Sequence, residues 1–208
     1  MLCQNKNRRL GMLDDLTNLQ ALLKDSTLLA TKGYIAGEWC DGENGQTFPV
    51  YNPARGDVIT DVADISRTQA AEAISISEKA QKLWAARPAK ERSNLLRKWY
   101  NLMMENQEDL ATILTAEQGK PLEEAKGEIA YGASFIEFFA EEAKRVYGET
   151  IPGHQSDKRI TVLKQPVGVA ASITPWNFPN AMITRKAGPA LAAGCAFIAR
   201  PAAETPLS

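Results

Sequence analysis

The chain has 208 residues, 44% of them hydrophobic, which is enough for a folded domain with a sizeable apolar core. It carries 24 basic and 25 acidic residues for a net charge of -1, so electrostatics give no case for nucleic acid or an anionic membrane surface as a partner. Its apolar runs have the length of strands and fall well short of the roughly 20 residues that span a bilayer, so no membrane partner is expected.

The N-terminal segment lacks the features of a targeting peptide. Asp14 and Asp15 follow the basic residues at positions 6, 8 and 9, where a secretory signal would carry an apolar segment and a transit peptide would avoid acids. The cysteines are odd in number, far apart and not in C-x-x-C spacing, which indicates a reducing compartment and no metal site. They are Cys3, Cys40 and Cys195. A cytoplasmic protein is therefore expected.

The first part of the chain predicts one helix and two short strands. Leucines at positions 13, 16, 19, 22 and 23 form one apolar helix face, which we expect to pack on the protein rather than on a membrane. Residues 34–39 and 47–51 are predicted to be strands, with turn-forming residues 41–45 between them. Residues 52–57 predict a further turn.

Four helices are predicted next from apolar spacing and capping residues. Ser66 and Gln69 have the spacing of a capping box. Gly119 suits a left-handed cap, and Pro121 suits the first turn of a long helix. The predicted helices cover residues 70–84, 90–105, 108–118 and 121 to about 147.

The last third of the chain predicts a βαβ unit. A strand over 159–164 is followed by buried-type strands over 167–174 and 195–199, with a loop at 175–179 and a helix over 180–193 between the latter two. The two buried-type strands should be parallel with a right-handed crossover, as at the start of an open α/β sheet. Ligands bind such sheets at the carboxyl ends of the strands, here residues 174–177 and 200–203. Neither a G-x-G-x-x-G nor a P-loop motif is present.

Specific motifs lie at those strand ends. The run I-T-P-W-N-F-P at 173–179 resembles the T-P-W-N-F-P loop of the aldehyde dehydrogenase superfamily, and M-I-T-R-K-x-x-P-A-L-A-A-G-C continues in register from position 182. Upstream, N-P-A at 52–54 and Y-G-E-T-I-P at 147–152 also resemble that family. The M-I-T-R-K run and E-Q-G-K-P-L-x-E-A-K-G-E-I from position 117 look most like succinate-semialdehyde dehydrogenases of the cytosolic, NADP-using kind.

The resemblance covers about residues 28–208 and implies the fold. We expect an α/β chain that forms the N-terminal portion of the aldehyde dehydrogenase fold, with an incomplete Rossmann-like parallel sheet, helices and a strand of the oligomerisation region. Residues 1–30 are expected to be an N-terminal tail and helix, with Met12 as an alternative start. Residues 31–208 would be a partial cofactor-binding domain, with about 150–166 as an insertion from the oligomerisation region and no catalytic domain.

The resemblance also implies a reaction. In this family a cysteine thiolate attacks a small-molecule aldehyde, nicotinamide accepts a hydride and a thioester is hydrolysed. The loop asparagine donates its amide to the oxyanion, and this maps to Asn177 as a catalytic residue. The alternative from residue type alone is that Asn177 caps the following helix. Arg185 corresponds to the arginine that holds the substrate's remote carboxylate, and the alternative is a solvated helix face shared with Lys186.

The cofactor residues implied by the resemblance lie at both strand ends. They are Thr174, Pro175, Trp176, Asn177, Arg200, Pro201, Ala202 and Ala203. Arg200 departs from the usual lysine but keeps the charge, and Ala203 stands where a glutamate often marks NAD preference. NADP is therefore the expected cofactor, with NAD as a second possibility.

The nucleophile of the family has no counterpart among the cysteines of this chain. Cys195 matches a non-catalytic position, and the segments that carry the catalytic cysteine, the glutamate base and the phosphate loop are absent. We therefore expect the 208-residue chain alone to be inactive and the parent enzyme to be a homo-oligomer. The alternatives left open are a non-catalytic remnant that acts as an interaction or nucleotide-binding module, and an unrelated small α/β ligand binder.

Overall fold

Six α-helices and four two-stranded sheets make up residues 19–208, which a computed structural model describes. The helices are α1 (Leu19–Leu22), α2 (Arg67–Ala85), α3 (Ala89–Glu105), α4 (Gln107–Gln118), α5 (Leu122–Glu142) and α6 (Pro179–Ala192). The strands are β1 (Gly33–Ile35), β2 (Glu38–Cys40), β3 (Thr47–Tyr51), β4 (Val58–Ala63), β5 (Glu149–Pro152), β6 (Arg159–Val162), β7 (Val169–Ile173) and β8 (Ala196–Arg200). No helix among these residues is long and apolar enough to cross a membrane.

The predicted single strand over 34–39 is wrong, because the chain folds back on itself there. Ala36 and Gly37 both take positive φ values, 57° and 87°, as a tight two-residue hairpin turn requires. β1 and β2 therefore pair antiparallel with each other. Of the predicted leucine face, positions 13 and 16 lie outside the described residues, while Leu19 and Leu23 are buried in an apolar cluster.

The strand β3 was predicted, but its partner β4 was not. The two strands pair antiparallel around the predicted turn, where the Asn52 amide donates to the Asp57 carbonyl at 2.9 Å. Val50 and Val62 point from this hairpin into the cluster that also contains Ile113 of α4. The hairpin is thus fixed to the helices by apolar burial.

The predicted capping residues are confirmed, but one predicted helix end is not. Ser66 and Gln69 form the capping box in both directions, and Gly119 ends α4 with a φ of 81°. The prediction that the long helix ends near residue 147 is wrong, because α5 ends at Glu142 and gives way to a 3-10 turn. Gly148 packs closely against the backbone of Val162, and from Glu149 onward the chain pairs as β5 with β6. The strand β5 was not predicted.

The predicted βαβ unit is confirmed in its topology. β7 and β8 pair in parallel, and α6 lies between them in sequence. The prediction that both strands are of the buried type is wrong, since Ile173 is 76% exposed and Val167, just before β7, is 90% exposed, and no residue of β8 is fully buried. Among the described elements, α2 and α6 make the main helix contacts with this two-stranded sheet, and much of its apolar surface stays uncovered.

Close helix packing places α6 against α5. A Cβ added at Gly132 of α5 would lie 2.4 Å from Asn180 Oδ1, and one at Gly188 of α6 would lie 3.3 Å from Phe139. Glycine at both positions therefore lets the two helices approach closely. Because of this contact, the start of α6 and the loop that precedes it lie next to α5.

Candidate functional site

The structure brings the two predicted strand ends together. The backbone amide of Thr174 donates to the Arg200 carbonyl at 3.1 Å, directly after the parallel pairing of Ile173 with Arg200. The loops 174–177 and 200–203 therefore leave the sheet side by side, as parallel strands require. Trp176 is 54% exposed and Arg200 is also exposed, so an apolar ring and a cation are accessible at this edge.

Asn177 lies in the loop with its side chain exposed. The alternative that Asn177 caps the helix is wrong: the capping position is Phe178, and no side chain of the loop makes a cap hydrogen bond. It is the backbone carbonyl of Asn177 that is held, accepting from Gln118 Nε2 at 3.5 Å and from Lys120 Nζ at 3.3 Å. The side-chain amide of Asn177 is left available to a ligand.

The cap of α6 comes instead from α5. Glu128 Oε1 accepts from the backbone amides of Asn180 and Ala181 at 3.1 and 3.3 Å. A carboxylate at a helix N-terminus satisfies donors that have no partner inside the helix and complements the positive end of the helix dipole. Glu128 in turn pairs with Lys120, whose ammonium lies 4.0 Å from the centre of the Phe178 ring.

The C-terminal end of α6 is anchored by donors from α2 and α3. Trp84 Nε1 donates to the Leu191 carbonyl at 2.9 Å, and Arg92 Nε donates to the Ala192 carbonyl at 3.2 Å. Arg92 is only 8% exposed, so its charge is placed where the negative end of the helix dipole lies. The helix after the candidate loop is thus held at both ends by side chains of other helices.

Arg185 and Lys186 differ in what they do on α6. Arg185 is exposed and forms no ion pair with residues 19–208, whereas Lys186 Nζ donates to the Met182 carbonyl at 3.0 Å within the same helix. Ala181 and Thr184 form the buried face of α6, so Arg185 lies beside that face and not within it. The guanidinium is therefore available to a ligand that carries a negative charge.

A second buried carboxylate holds the segment after β8. Glu117, at 2% exposed, accepts from the backbone amides of Leu207 and Ser208, both at 2.8 Å. Burial raises the pKa of Glu117 to about 7, and the charge of Glu128 adds to the rise. Glu117 thus fixes the chain shortly beyond the predicted cofactor residues 200–203.

Depressions are present elsewhere on the described surface. No group of three or more histidine, cysteine, aspartate or glutamate side chains between residues 19 and 208 is placed to hold a metal ion. One depression lies at the β5–β6 hairpin, around residues 150–159, and another lies beside Arg97 and α5. Neither includes a residue of the paired strand ends.

Comparison with known proteins agrees with the geometry. The Aldehyde dehydrogenase family matches residues 39–208. The chain belongs to this family. It is 62% identical over 186 residues to a glutarate-semialdehyde dehydrogenase of Pseudomonas putida, covering 89% of this chain and 39% of the relative. It is 59% identical over 186 residues to an NADP⁺ succinate-semialdehyde dehydrogenase of Escherichia coli, with 89% and 39% covered.

Solved structures of aldehyde dehydrogenases have the same fold. The crystal structure of a succinate-semialdehyde dehydrogenase from Burkholderia pseudomallei superimposes with a TM-score of 0.88 at 53% identity, covering 89% of this chain and 39% of that one. The expectation of the N-terminal portion of the aldehyde dehydrogenase fold is confirmed. The chain spans about two fifths of the length of the curated aldehyde dehydrogenases that it matches.

Neither Lys120 nor Glu128 was predicted to be part of the site, although both lie in the E-Q-G-K-P-L-x-E-A-K-G-E-I run. Helical spacing held a signal for Glu128, because it falls on the same face as Ala125, Ile129 and Gly132. A charged residue on an otherwise apolar helix face needs a buried partner. In this aldehyde dehydrogenase chain the partners are Lys120 and the start of α6.

Proposed function

We propose that the chain forms the N-terminal part of an NAD(P)-dependent aldehyde dehydrogenase whose substrate is succinate semialdehyde and whose product is succinate. The observation that carries this proposal is the free side-chain amide of Asn177 at the carboxyl end of β7, with the unpaired guanidinium of Arg185 on the helix that follows. The relatives are named for aldehydes that carry a second, acidic group. An exposed arginine fits the carboxylate of such a substrate.

The residues at the paired strand ends fit a nicotinamide dinucleotide. Thr174 Oγ1 is buried without a partner in the described part of the chain, Trp176 offers an accessible ring, and Arg200 offers a cation for a phosphate or a ribose hydroxyl. Thr174 to Asn177 would hold one side of the cofactor, and Arg200 to Ala203 the other. The bound nicotinamide would supply the acceptor for the hydride.

The residue at position 203 favours one of the two nicotinamide cofactors, NADP, over the other, NAD. Ala203 is exposed and carries no carboxylate, so nothing there repels a 2′-phosphate, and Arg200 lies exposed at the end of the strand that precedes it. We therefore infer NADP as the preferred cofactor, with NAD accepted as well.

Asn177 is proposed to be the oxyanion donor. Attack on the aldehyde carbon turns the carbonyl oxygen into an alkoxide, and a fixed amide N–H directed at that oxygen stabilises the charge as it develops. A donor of this kind must be held in place before the reaction, and the backbone of Asn177 is held by Gln118 and Lys120. Arg185 is proposed to hold the remote carboxylate, which is charged before and after the reaction.

The test uses residues 19–208 joined to the C-terminal remainder of the E. coli relative, which provides a complete enzyme. Asn177→Ala should lower kcat on the order of 10²–10³-fold with little change in KM, because the contact strengthens in the transition state. Asn101→Ala on the exposed surface of α3 is the matched control. A kcat that is unchanged by Asn177→Ala would contradict the oxyanion role.

The substrate is tested with Arg185→Ala in the same chimera. The KM for succinate semialdehyde should rise about 10- to 100-fold, the worth of a charge-assisted hydrogen bond, while butanal should be little affected. Arg67→Ala, at another exposed arginine, is the matched control. Equal weakening of both aldehydes contradicts the carboxylate role and removes the main local support for this substrate.

Three further expectations belong to this proposal. The 208-residue chain alone should not reduce NADP⁺ or NAD⁺ with succinate semialdehyde, because none of its cysteines matches the family nucleophile. The parent enzyme is proposed to be a cytoplasmic homo-oligomer, with residues 150–166 in its oligomerisation region. The exposure of both strands of the β5–β6 hairpin supports that assignment.

A further inference from the structure

Lys120, in the turn between α4 and α5, and Glu128, in the second turn of α5, form a buried ion pair. The side chain of Lys120 is 10% exposed and that of Glu128 is 1% exposed. Removing two charges from water costs several kcal/mol per ion, and an apolar pair of similar size is often as stable. Stability alone therefore gives no sufficient reason for this buried ion pair.

The ion pair contacts both the loop that precedes Pro179 and the start of the helix that follows it. On the loop side, Lys120 Nζ donates to the Asn177 carbonyl at 3.3 Å and lies 4.0 Å from the centre of the Phe178 ring. On the helix side, Glu128 Oε1 accepts from the amides of Asn180 and Ala181. One connected set of charges thus fixes the backbone from 177 to 181.

This arrangement determines the direction of the Asn177 side chain. The side-chain amide has no hydrogen bond of its own to residues 19–208, so its position depends on the backbone that carries it. Gln118 supplies a further, longer contact of 3.5 Å to the same carbonyl. Close packing at Gly132, one turn beyond Glu128 on α5, holds α5 and α6 near enough for Glu128 to reach the first amides of α6.

We propose that Lys120 and Glu128 are positioning residues that aim the Asn177 amide at the reacting oxygen. This inference rests on the proposed function for its catalytic consequence, whereas its structural part stands on the contacts above. A misplacement of about 1 Å in a reacting group can cost on the order of 10²-fold in rate. Loss of the contacts that Lys120 and Glu128 make with residues 177–181 should therefore lower kcat.

The kinetic test compares paired substitutions in the chimeric enzyme. Lys120→Met with Glu128→Gln removes both charges together, leaves no unpaired buried charge and keeps an oxygen acceptor for the start of α6. We expect kcat to fall about 10- to 100-fold while KM changes less than about threefold. Lys126→Met is the matched control, because Lys126 likewise forms ion pairs, with Glu108 and Glu123, but does so on the surface of α5.

A double-mutant cycle separates positioning from general damage. If the pair acts through Asn177, the paired substitution should cost less than about threefold in kcat when Asn177 is already alanine. Losses that multiply instead overturn the inference, as does an unchanged kcat in the paired variant. An unchanged kcat in Asn177→Ala alone contradicts the proposed function of Asn177, a result that this cycle distinguishes from the others.

Hydrogen exchange on the 208-residue chain tests the structural part without any activity. In the paired variant the amides of Asn180 and Ala181, which donate to Glu128, and of Met182, which donates to the Phe178 carbonyl, should exchange about tenfold faster or more, while amides in the middle of α3 keep their rates. Faster exchange across the whole chain, or unchanged exchange at residues 180–182, overturns the positioning role.

Discussion

Glu117 makes the stability of the chain depend on pH in a direction opposite to most carboxylates. It is 2% exposed, and burial raises its pKa from 4.5 to about 7 although two backbone amides oppose the rise. Between those two values the folded state binds more protons than the unfolded state. The free energy of unfolding should therefore fall as pH rises from about 4.5 to about 7 and be level above that range.

The magnitude follows from the size of the shift. Each pKa unit corresponds to about 1.4 kcal/mol, so the rise from 4.5 to about 7 corresponds to about 3 kcal/mol lost across this interval. Glu117→Gln cannot ionise and should lose this dependence. The substitution also places an amide NH₂ opposite one of the backbone donors of Leu207 and Ser208, which costs about 1–3 kcal/mol at every pH.

The assay is urea unfolding of the 208-residue chain and its variants, followed by circular dichroism from pH 5 to pH 8. The stability of Glu117→Gln relative to the parent chain should improve by about 2.5 kcal/mol over that interval, because part of the change falls below pH 5. Glu124→Gln makes the same chemical change at an exposed position of α5 and is the matched control. Parallel pH profiles for the parent and Glu117→Gln would refute the reasoning.

Two further predictions concern helix packing and the cofactor. Gly132→Ala should destabilise the chain by about 1–2 kcal/mol in thermal or urea unfolding, because the new Cβ meets Asn180 Oδ1, whereas Gly127→Ala on the same helix meets nothing within 4 Å and should stabilise by about 0.5–1 kcal/mol. A stabilising Gly132→Ala contradicts the close packing of α5 on α6. In the chimeric enzyme, Arg200→Ala should raise the KM for NADP⁺ about tenfold and that for NAD⁺ less, as measured by steady-state kinetics. Equal effects on both cofactors contradict a contact to the 2′-phosphate.

Local capping and turn chemistry allowed much of the fold to be predicted. The capping box of Ser66 and Gln69, the left-handed Gly119 and the βαβ unit at the end of the chain all depend on residues close in sequence. Such signals act through the backbone of a few neighbouring residues and need no tertiary partner. The adjacency of residues 174–177 and 200–203 followed from the parallel pairing of the strands.

The failures have physical causes of a different kind. The hairpin at residues 35–38 puts Ala36 in a left-handed conformation that alanine seldom adopts, so no Asn-Gly or Asp-Gly signal was present. β5 is short and exposed throughout, with no alternating pattern of burial. Burial of β7 was overestimated because an apolar strand sequence indicates what a complete sheet would cover, and the described sheet has two strands.

The candidate loop shows why a recognisable motif does not by itself explain a site. The T-P-W-N-F-P run identifies Asn177 as a candidate site residue, yet no side chain of the run forms a hydrogen bond with it. Its support comes from Lys120 and Glu128, which lie 57 and 52 residues away from the groups they contact. The other end of α6 is held by Trp84 and Arg92, 107 and 100 residues away from their acceptors.

These four side chains belong to the helices and to the turn between α4 and α5, and none of them lies in β7 or β8. The position of the loop is therefore set by the helices, even though the loop itself follows a strand whose apolar surface is largely uncovered. A substitution that loosens the helix contacts should disturb Asn177 while leaving β7 paired with β8. For that reason exchange of the amides at the start of α6 is a more direct measure of the site than the stability of the sheet.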